Sequence, residues 1–132
     1  MTIRVLLADD QALLRATFRI LIESESDMTV IGEATDGREA VELTRHPRPD
    51  VVLMDIRMPS VDGLTATERL RARKDAPQVV VLTTFHADEQ VLRALRVGAA
   101  GFVLKDTPPA EIVDAVRRAA TAGPGLSPTA TP

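Results

Sequence analysis

Between Ile3 and Ala120 the chain alternates short apolar runs with amphipathic stretches five times, a pattern that few folds accept. Ile3 to Ala8 reads as a buried strand, and Gln11 to Ser24 as a helix with Leu14, Phe18, Leu21 and Ile22 on one face. Met28 to Ala34 is a second strand, followed by a Thr35-Asp36-Gly37 turn and cap and a helix from Arg38 to Arg45 that ends at His46-Pro47. Asp50 to Met54 is the third strand, Ser60 to Gly63 a turn, and Leu64 to about Arg73 a helix. Gln78 to Thr83 is the fourth strand, and Ala87 to Val97 a helix stopped by Gly98. Gly101 to Leu104 is the fifth, and Pro109 to Ala120 a last helix with Ile112, Val113 and Val116 inward. Near-continuous apolar strands between amphipathic helices predict an α/β fold: a doubly wound, five-stranded parallel sheet with helices on both faces.

At 132 residues the chain suffices for one core, assigned here to residues 1–120. From Thr121 the sequence turns to TAGPGLSPTATP, with no core periodicity, and residues 121–132 read as a linker leading to a further domain outside this sequence. A net charge of -3, from 16 basic and 19 acidic residues, lacks the basic excess of a nucleic-acid-binding module. With no cysteine and only His46 and His86, thiolate and multi-histidine metal sites are excluded or disfavoured, so a bound metal should be hard and oxygen-liganded. No signal-peptide layout and no apolar run near the roughly 20 residues of a membrane span occur, so a cytoplasmic location is expected.

Asp9 and Asp10 follow the first apolar run directly, and Asp55 follows Val51-Val52-Leu53-Met54. In a doubly wound sheet, ligands bind in the crevice beyond the carboxyl ends of the strands, where these acids fall. A lone Asp after a strand is equally a helix cap. Two consecutive acids with a third nearby are another matter, because ionised carboxylates about 4 Å apart repel by on the order of 4 kcal/mol at an effective dielectric near 20. A Mg²⁺ ion relieves that repulsion and leaves room for a phosphoryl oxygen.

Asp55 could be a nucleophile that forms an acyl phosphate, or only a metal ligand. Thr83, at the end of the fourth strand, could hydrogen-bond a phosphoryl oxygen or simply be a β-branched strand residue. Lys105 can neutralise added phosphate charge, although a strand-end lysine is ordinarily just solvated. Phe102, one of three aromatics, reads as core, with a ring that swings between positions as the alternative. Pro59 and Gly63 read as turn residues.

The ordered series of an acidic pair, VVLMDIRMPSVDG, VVVLTT and GAAGFVLKD resembles the receiver domain of two-component response regulators over residues 2 to 120. The HADEQVLRALRVGAAGF stretch, the Lys105-Asp106 pair and the LSP of the linker are similar to the NarL/FixJ subfamily, whose receivers precede a LuxR-type helix-turn-helix domain. The resemblance implies a flavodoxin-like strand order 2-1-3-4-5, with Asp55 as phosphoacceptor and Asp9, Asp10, Asp55 and the Arg57 backbone carbonyl around Mg²⁺. It further implies Thr83 as switch hydroxyl, Phe102 as switch aromatic and Lys105 as phosphate contact. The implied partners are a sensor histidine kinase, a second copy of the chain in a phosphorylation-linked homodimer, and DNA through a C-terminal domain only. The implied chemistry is self-phosphorylation and autodephosphorylation, without turnover of external substrates.

One departure is that the prolines fall at 108 and 109 and not directly after Lys105. A cis Lys105-Asp106 bond without proline would cost about 3 kcal/mol, and the sequence leaves that bond's geometry open. Two rival readings are a receiver-like interaction module that never accepts phosphate and a metal-dependent phosphatase with an Asp nucleophile. The second expects Asp-x-Asp after the first strand, where Asp9-Asp10 stands. Neither GxGxxG nor GxxxxGK[ST] occurs, which disfavours nucleotide binding.

Overall fold

The computed structural model of the chain describes residues 2–45, 48–84 and 88–122. Its elements are β1 Ile3–Ala8, α1 Ala12–Glu23, β2 Met28–Ala34, α2 Gly37–Leu43, β3 Val51–Asp55, α3 Gly63–Arg71, β4 Gln78–Thr83, α4 Asp88–Arg96, β5 Gly101–Leu104 and α5 Pro109–Ala122. All five strands are parallel, in the order β2-β1-β3-β4-β5. The chain steps outward from β1 to β2 and then back across β1 to β3, so the winding reverses between β1 and β3 and opens a crevice at their carboxyl ends.

The apolar runs are continuous because both sheet faces are covered. Val5, Leu7, Val51, Leu53, Val80 and Leu82 point into one core, closed by Phe18 and Ile22 of α1 and Ile112 and Val116 of α5. Their neighbours Leu6, Ala8, Val52, Met54, Val79 and Val81 point into the other, closed by residues such as Ala40, Leu64, Leu70 and Ala94 of α2, α3 and α4. Every residue of β3 and β4 is buried, which makes them the fixed axis of the sheet.

Local chemistry explains the helix starts. The Asp36 carboxylate accepts the Glu39 N–H at 2.7 Å, and Glu39 Oε1 accepts the Thr35 N–H at 2.7 Å. Asp62 caps α3 in the same way, accepting the Thr65 N–H at 2.8 Å. Gly98 takes φ +92° after α4, the left-handed stop its position predicts. Arg117 of α5 donates to both Asp27 carboxylate oxygens at 2.9 Å and to Glu25 at 2.6 Å, tying α5 to the turn after α1 and holding the Asp27 carboxyl below its usual range.

The differences from the sequence reading are local. The first helix is one residue shorter at each end than Gln11 to Ser24, the second runs from Gly37 to Leu43, and α3 starts one residue earlier and stops at Arg71. Helix α5 continues two residues past Ala120. His46-Pro47, Ala87 and residues 123–132 lie outside the described residues. Val116 is core, whereas Leu92 and Leu95 are exposed. Gly63 is more than a turn residue. It opens α3 directly beneath β3, its N–H bonds to the Ile56 carbonyl at 2.8 Å, and a Cβ there would overlap the Asp55 carbonyl oxygen. The loop before it bends through Ser60 at φ +66°, a conformation uncommon outside glycine.

Gly63→Ala is therefore expected to lower unfolding free energy in urea titrations by about 3 kcal/mol, the cost of overpacking against rigid backbone. Gly101→Ala, whose added Cβ would meet Val80 at an ordinary 3.6 Å, should stay within about 1 kcal/mol of the parent chain.

Candidate functional site

Each strand end along the crevice contributes one chemical group. β1 leads into Asp9 and Asp10, β3 ends on Asp55, β4 ends on Thr83, and Lys105 follows β5. Parallel pairing sets them level: Ala8 lies opposite Met54, Asp55 opposite Leu82, and Thr83 opposite Leu104. A carboxylate oxygen from each of Asp9, Asp10 and Asp55 lies within 4.8 Å of the others. The Lys105 ammonium sits between the two buried acids, 3.1 Å from Asp9 Oδ2 and 3.2 Å from Asp55 Oδ1. The sequence therefore named residues that folding brings together, and its alternative of a merely solvated Lys105 fails, because that side chain is 9% exposed.

Asp9 is 2% exposed, with Oδ1 accepting the Gln11 N–H at 2.9 Å and Oδ2 buried without a hydrogen bond despite the nearby ammonium. Asp55 is 4% exposed, and Oδ1 takes a long 3.4 Å bond from the Arg57 N–H. Burial first, and the Asp9 charge second, raise the Asp55 carboxyl above its usual range, while Lys105 pulls the other way. Asp10 is exposed at the mouth. With Asp55, Arg57, Thr83, Thr84 and Lys105 it lines a cavity of about 260 Å³. A wider cleft of about 700 Å³ adjoins it, sharing Asp10 and Arg57 and floored by Ile56, Met58 and Leu64.

This donor set fits a hard divalent cation. Three carboxylates converge, the sequence has no cysteine, and the buried Asp9 Oδ2 has the Lys105 ammonium at 3.1 Å but no hydrogen bond. Without an ion, one ammonium faces three acids, and each carboxylate pair at this spacing still repels by on the order of 3 kcal/mol at an effective dielectric near 20.

Thr83 and Phe102 share one side of the sheet. Phe102 pairs with Val81, and strand alternation puts Thr83 on the Val81 face, toward α4. Phe102 is partly buried against that core, so it is neither a full core residue nor a free ring. Behind Asp9 stands Arg15, which the sequence reading passed over. Its Nη1 donates to the Asp9 carbonyl at 2.8 Å and its Nε to Glu33 at 3.0 Å. The available signal was slight: Arg15 has no acid three or four residues away on its own helix.

A carboxyl whose folded pKa exceeds its unfolded one costs folding free energy once ionised. That cost is absent below the ordinary aspartate value of about 4, grows as pH rises toward the folded pKa, and is constant above it. In metal-free buffer Asp55→Asn should therefore raise Tm at pH 7 by a few degrees and lose that advantage below about pH 4. Lys105→Met should push the Asp55 pKa higher still, as read from carboxyl ¹³C shifts.

The family model for the response regulator receiver domain matches residues 5–117. The chain is 47% identical over 118 residues to YxjL, a transcriptional regulatory protein of Bacillus subtilis (strain 168), covering 89% of this chain and 54% of that protein. It is 37% identical over 128 residues to NarL, the nitrate/nitrite response regulator of Escherichia coli (strain K12), covering 97% of this chain and 59% of that one. The chain thus spans a little over half the length of these relatives. Among solved structures, the signal receiver domain of the putative response regulator NarL from Mycobacterium tuberculosis matches with TM-score 0.88 and 36% identity, over 92% of this chain and 98% of that one. The response regulator domain of Thermotoga maritima CheB matches with TM-score 0.87 and 31% identity, over 93% and 99%.

Proposed function

The chain belongs to the response regulator receiver domain family, and on that premise we propose that it is a phosphorylation-controlled switch with Asp55 as its acceptor. One observation carries the reading: Asp55 lies buried at the sheet's switch point, within reach of two further carboxylates and a lysine ammonium.

An Asp55 oxygen attacks the phosphorus of a sensor kinase's phosphohistidine or of a small donor such as acetyl phosphate. The bond from phosphorus to the leaving nitrogen or oxygen breaks, and the leaving group keeps that electron pair. Asp9, Asp10, Asp55 and the Arg57 backbone carbonyl would hold Mg²⁺, which when bound supplies neutralising charge to the phosphoryl oxygens. Lys105, already 3.2 Å from the acceptor, supplies a second positive charge, and Thr83 at the cavity wall donates a hydroxyl to a phosphoryl oxygen. Water attacking the same phosphorus later returns Asp55 to its free form, so the protein modifies and resets itself and turns over no external substrate.

The phosphoryl group adds charge where Lys105 and Thr83 meet. Drawing Thr83 toward it opens space on the α4 side of the sheet, which the Phe102 ring then fills. The relatives' names support an output in transcription, and their greater length leaves room for a DNA-binding domain beyond this segment; a phosphorylation-linked homodimer is part of the same proposal. Among the described residues, no helix is long and apolar enough to cross a membrane.

Incubation with Mg²⁺ and acetyl phosphate or phosphoramidate, followed by intact-mass measurement, should show a gain of one phosphoryl group. Asp55→Asn and chelation by EDTA should abolish the gain, and Lys105→Ala should slow it by on the order of 100-fold. No gain with any donor would favour a phosphorylation-independent interaction module. Turnover of an added phosphoester would favour a phosphatase.

A further inference from the structure

We infer that Arg15 is a positioning residue of this site: by pinning the Asp9 carbonyl to α1 and to Glu33, it aims the Asp9 and Asp10 carboxylates at the cation. The inference rests on the magnesium-dependent reading above. Every other polar group of Asp9 that could drift is already tied. Its N–H donates to the Ala34 carbonyl of β2 at 3.0 Å, and Oδ1 accepts the Gln11 N–H at 2.9 Å. Arg15 Nη1 closes the set by holding the carbonyl at 2.8 Å. Only Oδ2 is left without a hydrogen bond, and it is the oxygen that faces the Lys105 ammonium.

That carbonyl belongs to the Asp9-Asp10 peptide. Fixing its plane fixes the last backbone torsion of Asp9 and the first of Asp10, and with them the relative direction of the two carboxylates. Such a restraint matters here because the three acids repel one another, and Gln11, at the N-cap of α1, adds no side-chain capping bond to the turn.

Glu33 completes the device. It lies opposite Leu7 in the β1-β2 ladder and accepts Arg15 Nε at 3.0 Å and Arg19 Nη1 at 2.5 Å. Burial alone would raise the Glu33 carboxyl, but the bonds from Arg19 and Arg15 outweigh it and keep the group ionised. Glu33 offsets part of the positive charge that Arg15 brings behind the cation site. Arg19 shares the same carboxylate and has no bond to Asp9, so it separates a stability effect from a positioning effect.

The test is calorimetric titration of MgCl₂ into the full chain at constant ionic strength, with Tm recorded for each variant. Groups that orient metal ligands typically contribute 10- to 100-fold in affinity, so Arg15→Met should weaken Mg²⁺ binding by about that factor and Arg19→Met by less than about 2-fold at a similar loss in Tm. Arg15→Lys, whose single ammonium cannot hold Asp9 and Glu33 through separate nitrogens, should fall between Arg15→Met and the parent. Parent-like affinity in Arg15→Met, or equal weakening in Arg15→Met and Arg19→Met, overturns the inference. Should Arg15→Met fail to fold, parent-like affinity in Arg15→Lys overturns it. If the parent chain itself binds no Mg²⁺, the functional reading fails first and the positioning inference falls with it.

Discussion

Two buried carboxylates share one ammonium at the top of the sheet, and the chemistry proposed for this fold depends on that under-compensated charge. Lys105 stands 3.1 Å from Asp9 and 3.2 Å from Asp55, with Asp10 completing a cluster whose oxygens lie within 4.8 Å. One ammonium between two buried carboxylates, with a third beside them, leaves a local field that attracts a small divalent cation, and burial first, with the Asp9 charge second, lifts the Asp55 carboxyl. A fully neutralised site would have little affinity left for such an ion, and a fourth acid would push the strand ends apart. Lys105 follows β5, two strands away from β3, so its ion pairs reach across the top edge of the sheet to β3 and β1.

The scaffold absorbs this cost by fixing Asp55 from below. β3 and β4 are buried along their full length, and Gly63 lets α3 begin against the Asp55 backbone. A β-carbon there would overlap the Asp55 carbonyl oxygen. The same close approach forces the loop from Ile56 to Asp62 into its tight bend, with Ser60 in the left-handed region and the Val61 N–H bonded to the Pro59 carbonyl at 2.8 Å. Backbone strain in that loop and charge repulsion in the site are thus held by one block of well-packed strand.

Strand limits are readable from this sequence to within a residue, because burial on both faces leaves uninterrupted runs such as QVVVLT bounded by polar or glycine positions. Asp9, Asp10, Asp55, Thr83 and Lys105 are readable as a group for a topological reason: parallel strands place their carboxyl ends on one edge, so residues that follow apolar runs must gather there. What the sequence hides is contact between segments whose spacing is not local. Gly63 looks like any turn glycine until α3 is docked under β3. Arg15 looks like a solvated helix residue until its guanidinium reaches back to the Asp9 carbonyl and across to Glu33. Phe102 is ambiguous on paper because its true state is partial burial, which neither a core nor a surface pattern encodes.

Packing is uneven across the sheet, and the unevenness has a direction. On one side of β1 and β3 lie two strongly packed helices, α1 and α5, clamped further by Arg117 across Glu25 and Asp27. On the far edge, β5 has only four residues and none is fully buried, while α4 exposes Leu92 and Leu95 and, among its described side chains, buries only Ala94. Elements with few buried contacts are the ones that reorganise at least cost. Lys105 reaches the acidic cluster from this same edge, Thr83 lines the cavity beside it from β4, and Phe102 shares the α4 face with Thr83. A change of charge at Asp55 would therefore act first on the part of the fold least able to resist it, while Asp55 itself stays fixed on β3. The switch proposed here needs that combination: a rigid point at Asp55, joined by Lys105 to a surface that can yield.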